Sequence, residues 1–515
     1  MPPRIFQDIA VPLDQDLKEK IELLSPGFTD YRVLRQSVDA RRSHSPHFVY
    51  SLEVSGPGEK LSQKRFELKK VPFKGAKPLI IGSGPAGLFA ALRLVERGIP
   101  CHLFERGSEA GERMKGINRY WRYGELDPRN NVCFGEGGAG LYSDGKLITR
   151  IKSPHIPYVL RRLVEFGAPA EIEYLSNPHV GSDKIRRVIP KIREFLKQNG
   201  CEIHFNTQVT EFLMKGSEVV GLRTEKKEEF HSNQIIMATG HSAEDILMHL
   251  VDLGVKIEGK SFAMGLRIEH PQSFVNQTQY RKAADHPKLG AANYRLADHD
   301  HDTGIGVYSF CMCPGGFVLS SGTEKEGVVS NGMSNYHRNS PFANAAIVVT
   351  VDHEQNFGKD ILGGLKLRRK LETDAFMAVQ KVGKTKELPA QKLTDFLSGR
   401  LSSAVDPGSC PSGAASVRLD QILTPQLTKN LKKGLEKFDR SMKGFVHEKA
   451  QLFGIESRTS CPLRIPRDPE TLQSVSHSGL YPCGEGAGYA GGITSAACDG
   501  IKIADKIASS YISTS

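Results

Sequence analysis

An α/β fold built on a Rossmann-like dinucleotide-binding unit is what this sequence predicts, from two observations. Residues 79–105 read LIIGSGPAGLFAALRLVERGIPCHLFE. An apolar run runs straight into Gly82-Ser-Gly84-Pro-Ala-Gly87, then a helical pattern, then a second apolar run ending at Glu105. That order is strand, glycine-rich turn, helix, strand, acid. Gly82 permits the tight turn, Gly84 lets backbone approach a pyrophosphate, and Gly87 lets the helix pack on the strand. The unpaired N–H groups and dipole of the helix start favour phosphate. Glu105 lies near the ~20-residue spacing of the acid that binds a ribose hydroxyl. The second observation is GLYPCGEGAGYAGGITSAACDGIKIADKIASS near the C-terminal end. It reads as strand, glycine-rich loop and long helix, and closes the same fold.

Composition sets the bounds. The chain has 515 residues, 39% hydrophobic and 25% charged, ordinary for a globular protein. This length suits two to four domains at ~100–200 residues each. No run approaches the ~18 apolar residues of a membrane span. The start, MPPRIFQDIAVPLDQDLKEK, lacks a signal-peptide core. A cytoplasmic, reducing location is therefore expected. Nine scattered cysteines, none in C-x-x-C, argue against a disulfide framework, and no spacing points to a metal. The net charge of +11 is diffuse, without aromatic-interleaved basic stripes, which argues against nucleic acid as a partner.

Four segments follow along the chain. Residues 1–75 form a small α/β domain. Within it, PLDQDLKEKIELL reads as a short helix, FTDYRVLRQSVDARRSHSPHFVYSLEV as strand, basic helix, strand, and GPGEKLSQK as a turn. Residues 76–250 carry the fingerprint, helices near 155–167 and 184–198, and a β-meander from 201 to 240. Residues 251–454 mix strands with helices LKLRRKLETDAFMAVQK and PQLTKNLKKGLEKFDRSMKGFV. They predict an inserted α+β substrate domain, mainly antiparallel with helices on one face. Residues 455–515 return to the nucleotide fold.

Three later segments select a flavin dinucleotide. Small residues in IIMATGHSA let the chain pass close to a nucleotide at Thr239 and Gly240. FNTQVTEF offers the Val209 backbone to an adenine. The helix starting near Gly491-Gly492-Ile493 aims N–H groups at an anion, as the reduced flavin's N1–C2=O edge is.

The stretches VLRQSVDARRS, GEGGAGLYSDGKL, ATGHSAEDI, FAMGLRIEHPQ, YSFCMCPGGFV, NGMSNYHRN, ESRTSCPLRIPRD and GLYPCGEGAGYAGGITSAACDGIKIA, with the fingerprint, span almost the whole chain. In them the sequence resembles the bacterial FAD-dependent, or NAD(FAD)-utilising, dehydrogenase family of two-dinucleotide-binding-domain flavoproteins. The resemblance implies non-covalent FAD and a GR2-type fold, and names no substrate. It implies that Gly82, Gly84, Pro85, Ala86 and Gly87 surround the pyrophosphate, and that Glu105 holds the adenosine ribose beside Arg106. Gly137, Gly138, Gly140, Ser143, Asp144 and Gly145 line the ribityl chain and flavin. Val209 touches adenine, and Thr239 and Gly240 flank the phosphates. Glu485, Gly491, Gly492 and Ile493 contact the ribityl chain and pyrimidine edge.

The expected function is an FAD-dependent oxidoreductase passing electrons between bound flavin and a small molecule. Alternatives are a flavin-containing RNA-modifying or RNA-binding protein, and a non-catalytic flavin-bound regulator. Only one clear GxGxxG exists, so NAD(P)H, if used as donor, binds without a Rossmann domain of its own. Catalytic candidates are His241, as proton donor or ribose contact, Cys311 and Cys313, and Arg458. Dithiol reductases of this superfamily carry a redox-active cysteine pair, and Cys311-Met-Cys313 is the nearest candidate for one. The Pro-Gly-Gly after Cys313 is instead expected to shape the pocket, and Cys133 to be packed. Arg267, His270, His337, Arg338, Arg458 and Arg464 suit recognition of a carboxylate or phosphate.

Overall fold

The computed structural model describes residues 3–41, 44–61, 66 and 68–512. Ser62, Gln63 and Lys64 of the expected turn lie outside them.

Leu79–Ile81, Cys101–Phe104, Cys201–His204, Ile235–Met237 and Leu480–Pro482 form one parallel sheet. Its order is 480, 235, 79, 101, 201 by first residue. The strands are short, apolar and covered on both faces, as a parallel sheet requires. The chain runs outward from strand Leu79–Ile81 in one direction, then returns to its other side with Ile235–Met237. That reversal is a topological switch point, and ligands bind in the crevice beyond such strand ends.

Helix Pro85–Glu96 packs on this sheet with Ala86–Val95 all buried, and the C-terminal helix Ile493–Ser510 packs on it in turn. Close approach depends on absent side chains. A Cβ on Gly87 would sit 1.9 Å from the Gly82 carbonyl oxygen. One on Gly500 would sit 2.1 Å from that of Ala86.

The meander is smaller than expected. Only Val209–Lys215, Glu218–Thr224 and Glu229–His231 form it, while Cys201–His204 joins the parallel sheet. Helix Ala110–Tyr123 fills what reads in sequence as an irregular Gly- and Arg-rich stretch. Its apolar stripe is interrupted by a buried arginine, Arg113, which hides the helical period.

The middle sheet has seven strands in the order Ala297–His299, Gly306–Cys313, Phe342–Val351, Phe262–Pro271, Gln451–Glu456, Leu388–Lys392, Ala414–Ser416. All pairs are antiparallel except the last. Strand Gln451–Glu456 carries this sheet past residue 454. Helices Gly363–Lys381 and Pro425–Ser441 cover the face carrying Phe262, Met264, Leu266 and Ile268. The opposite face, with Ala263, Ala346, Val348, Tyr308 and Phe310, is left for the nucleotide fold to meet.

At the N-terminal end, Arg4–Pro12, His47–Ser55 and Asp30–Asp39 make an antiparallel sheet under helix Leu17–Leu24, around Ile21 and Leu52. Among the described residues the basic helix expected in this segment does not form: Asp30–Asp39 is a strand paired with His47–Ser55, and Arg42 and Ser43 lie outside the described residues. Cross-strand pairing overrides the local preference of Leu, Arg and Gln for helix. Among the described residues no helix is long and apolar enough to cross a membrane.

Gly500→Ala is expected to cost about 1–3 kcal/mol by overpacking the helix crossing. At Gly111 a Cβ meets nothing within 4 Å, so Gly111→Ala is expected to shift stability by less than about 1 kcal/mol. Urea midpoints compare the two, and equal midpoints would contradict the crossing argument.

Candidate functional site

A cavity of about 1180 Å³ opens at the switch point and runs under the free face of the middle sheet. It exceeds the ~300–1,000 Å³ usual for one small ligand. One end is walled by Gly82, Gly84, Pro85 and Ala86 of the fingerprint, with Glu105, Arg106, Val209, Thr239 and Gly240. The wall continues through Gly138, Gly140, Ser143 and Asp144, and through Glu485, Gly491, Gly492 and Ile493, with Gly138 against Gly84 and Gly140 beside both Pro85 and Ile493. Three of the expected cofactor-binding residues are not on the wall. Gly87 packs under the turn, Gly137 against Leu141 and Ile189, and Gly145 against the Gly181 backbone. They shape the cradle from behind.

Two helix starts face this space. Gly84 caps Pro85–Glu96 and Gly492 caps Ile493–Ser510, neither with a side-chain cap. Their first N–H groups and positive dipole ends suit anions. A Cβ on Gly240, Gly491 or Gly492 would meet nothing within 4 Å, so backbone there borders open space.

Glu105 ties this end together. One carboxylate oxygen accepts from Ser83 N and Oγ at 3.0 and 2.7 Å, the other from Gly107 N and Gly135 N at 2.9 and 3.0 Å. A carboxylate has about four acceptor positions, and the chain uses them all. The sequence reading gave this carboxylate wholly to a ribose; in the structure it first joins three loops. Arg106 pairs with Asp245 and lies over the Phe134 ring at 4.4 Å. Fully buried Arg113 donates to the carbonyls of Asn131, Val132, Gly135 and Glu136, which holds the Gly-rich loop. Asp144 sits on the wall with its carboxylate taken by Arg338 and Ser334, clasping the nucleotide fold to the middle domain.

The cavity also holds polar groups with nothing to bind. Thr239 Oγ1 is buried without a partner. The Glu485 carboxylate has no hydrogen-bond donor among the described residues, and burial pushes it up to about 8 against the pull of Lys260. Both are placed to serve a polar ligand.

Several expected roles change. His241 is on the wall, but burial and the neighbouring Arg368 and Arg458 push its ring down to about 3. It is neutral near pH 7 and is not an imidazolium proton donor. Arg458 is on the wall with its guanidinium spent on Glu372, Ser242 and Thr323. Arg267 and His270 are fully buried. The first is paired with Glu456 and Asn344, and the second is bonded to the Phe445 carbonyl, so neither reaches a substrate. Arg464 stacks on Tyr489. Cys133 lies on the wall, half-buried.

The cysteine geometry differs most. Phe310 pairs with Ala346, but Cys313 pairs with Asn344, so one extra residue is bulged between them. Cys311 takes φ +46° there. The extra residue breaks the alternation that would keep residues 311 and 313 on one face, and the Cys313 thiol donates to the Cys311 carbonyl oxygen at 3.3 Å. Sequence reasoning also missed Lys146, inside the quoted GEGGAGLYSDGKL, and the mouth residues Ile148, Arg150, Ile151 and Arg295. Ile148 is 54% and Ile151 40% exposed, and a lone exposed isoleucine carries no signal in sequence.

A carboxyl raised by burial binds its proton more tightly folded than unfolded. Glu485 therefore supports the ligand-free fold at low pH and loses that support as pH rises from about 4.5 to 8. Glu485→Gln is expected to remove a downward slope of at most about 1.4 kcal/mol per pH unit across that window. Urea unfolding of ligand-free protein at several pH values reads it, and identical slopes in both proteins would refute it.

Residues 261–459 match the family of FAD-dependent proteins with the C-terminal domain-like fold, and residues 80–129 match the NAD(P)-binding Rossmann-like domain. A protein of Clostridium beijerinckii is 38% identical over 98% of both chains. The digeranylgeranylglycerophospholipid reductase of Haloferax volcanii is 29% identical over 188 residues, 35% of this chain and 43% of that protein. The solved structure of CtdE in complex with FAD covers 84% of each chain at 11% identity and a TM-score of 0.31. FAD is the cofactor named by the family matched over residues 261–459, and the long, glycine-walled cavity suits a dinucleotide. The chain belongs, with its Clostridium beijerinckii relative, to a family of FAD-dependent flavoproteins with a Rossmann-like nucleotide-binding domain.

Proposed function

We propose that the protein is an FAD-dependent oxidoreductase that passes electrons between non-covalently bound FAD and a small molecule. The observation that carries this reading is the continuity of one cavity. It runs from the fingerprint turn, past two orphan polar groups, to the start of the C-terminal helix and the free face of a second sheet.

FAD bound there supplies the two-electron chemistry, and the chain supplies binding, orientation and access. Gly84, Pro85 and Ala86, at an uncapped helix start, hold the pyrophosphate, with Thr239 Oγ1 and Gly240 beside it. Val209 and Arg106 border the adenosine, and Glu105, its acceptor positions filled by Ser83, Gly107 and Gly135, holds the loops around it. Glu485 takes a ribityl hydroxyl. The Gly491–Ile493 amides favour negative charge at the flavin's pyrimidine edge. Gly138, Gly140 and Ser143 flank the opposite side. His241, as neutral imidazole hydrogen-bonded to Ser242 at 2.8 Å, orients rather than protonates.

The mouth suggests what enters. Ile148 and Ile151 are exposed apolar groups, and Arg150 and Arg295 have no ion-pair partner among the described residues. Tyr308 and Phe310 line the wall behind them. This combination suits an anionic organic molecule with an apolar body. NAD(P)H, as a transient donor, would use the same mouth. The reading includes a cytoplasmic location.

The purified protein is expected to carry FAD and to be reduced anaerobically by NADH, NADPH or an anionic organic donor. Gly84→Val has room to fold, since a Cβ there meets only Gly138 Cα at 3.8 Å, yet it fills the pyrophosphate space. It is expected to weaken FAD binding at least about tenfold, roughly 1.4 kcal/mol. Colourless protein that takes up no added FAD would overturn the reading.

A further inference from the structure

We propose that His102, Glu202 and His204 form a binding site for a divalent transition-metal ion of the zinc class. The site lies at the edge of the parallel sheet, and it does not depend on what occupies the cavity.

Strand pairing, not sequence spacing, gathers these side chains. His102 is on strand Cys101–Phe104, and Glu202 and His204 are on the edge strand Cys201–His204. Period two keeps Glu202 and His204 on one face. The parallel register sets His102 opposite Glu202 and Phe104 opposite His204, which brings His102 to the same face.

Three observations point to a metal. First, the donor atoms converge. His102 Nδ1 is 3.1 Å from His204 Nε2 and 3.6 Å from Glu202 Oε2. One ligand atom from each of the three residues lies within 4.8 Å of the other two. Tetrahedral bonds of ~2.0–2.1 Å set neighbouring ligand atoms about 3.3 Å apart, so these atoms stand near three corners of a tetrahedron. Second, both imidazoles are held in place by aromatic rings. Phe104 stacks on His204 at 4.7 Å with 11° between the planes. Phe230, from strand Glu229–His231, packs edge-on against His102, Phe104 and His204 at 5.3, 4.8 and 5.2 Å. An apolar surround that fixes the rings spares the ion the cost of ordering them. Third, the carboxylate is oriented through its other oxygen. Lys77 donates to Glu202 Oε1, which leaves Oε2 toward His102. The Glu202 side chain is 53% exposed, so an ion can enter and water can take a fourth position.

Two imidazoles and one carboxylate suit zinc and its first-row neighbours better than magnesium or calcium. Without an ion, one of the two ring nitrogens donates to the other. With an ion, each gives a lone pair, and the protons stand on His102 Nε2 and His204 Nδ1. The ion then clamps the edge strand to its neighbour. The His204 carbonyl accepts from Glu105 N at 2.9 Å, so the clamp adjoins the residue that gathers the cavity's loops.

Asp39, His44 and His47 also stand together, but Arg41 Nε bonds both oxygens of Asp39, so His47 serves as a control position. Full-length protein, stripped with EDTA and dialysed, is titrated calorimetrically with zinc chloride. Micromolar or tighter binding at this site is expected, with a rise in melting temperature. His204→Phe keeps the aromatic stack and removes the nitrogen. It is expected to weaken one equivalent of zinc at least about 100-fold, the upper end of what losing a ligand's hydrogen-bonding partner costs. Glu202→Gln, at an exposed position, is expected to weaken it at least about tenfold. Neither variant should be raised in melting temperature as the wild type is, and His47→Ala should match the wild type. No zinc uptake below millimolar concentrations, or uptake that His204→Phe and Glu202→Gln leave unchanged in amount and affinity, overturns the site. Either result leaves the flavin reading untouched.

Discussion

The Glu105 carboxylate is the contact on which the rest of the site depends. It gathers the turn after the first strand at Ser83, the loop after the second at Gly107 and the glycine-rich loop at Gly135. Ser83, Gly107 and Gly135 themselves carry little or no side chain to pack in place. Four hydrogen bonds to one buried charge replace packing, and bonds to a charged acceptor are the stronger kind. Arg113 does the same work from the loop's other side, offering guanidinium donors to four carbonyls. A buried acid and a buried base thus hold a wall made largely of backbone.

That arrangement explains why the cavity can be both long and open. Backbone walls at Gly84, Gly240 and Gly491 leave room that side chains would fill. Gly87 and Gly500 let two helices and the turn close up behind them. The middle domain then supplies a lid of different chemistry. One face of its sheet is sealed by two helices, and the other meets the nucleotide fold through Asp144 and Arg338. The arginine held in that clasp leaves Asp144 little freedom to serve a ligand. Arg458, Arg267 and Arg368 are likewise committed to Glu372, Glu456 and Glu244. Arg150 and Arg295 at the mouth remain uncommitted cations.

Legibility in the sequence followed the range of the interactions. The fingerprint strand, turn and helix, the helix at Ser182–Gln198 and the C-terminal strand and helix were readable, because each is specified by local periodicity and glycine spacing. Strand Asp30–Asp39 was read partly as helix, because its stability comes from a partner strand. Helix Ala110–Tyr123 was missed, because a buried arginine interrupts its apolar stripe. For the site, residues carried by motifs, such as Gly84, Thr239 and Glu485, were found on the wall. Those whose position depends on a neighbour's charge, such as Arg267 and Arg458, were assigned roles that their ion pairs forbid.

The sequence by itself determined the Rossmann-like unit, since that depends on spacing within one segment, and the class of cofactor, since glycine-rich motifs in several segments point to it. Only the tertiary structure decided which polar groups stay free. Whether a carboxylate is spent on the chain, as at Glu105, or waits unpartnered, as at Glu485, depends on residues far apart in the chain. The cysteines make the same point. Period two would put Cys311 and Cys313 on one face, and a bulge whose Cys311 and Met312 carbonyls are bonded by Arg267 and Lys146 from elsewhere in the fold breaks that alternation. Alternation is a local rule, and a long-range hydrogen bond is enough to break it.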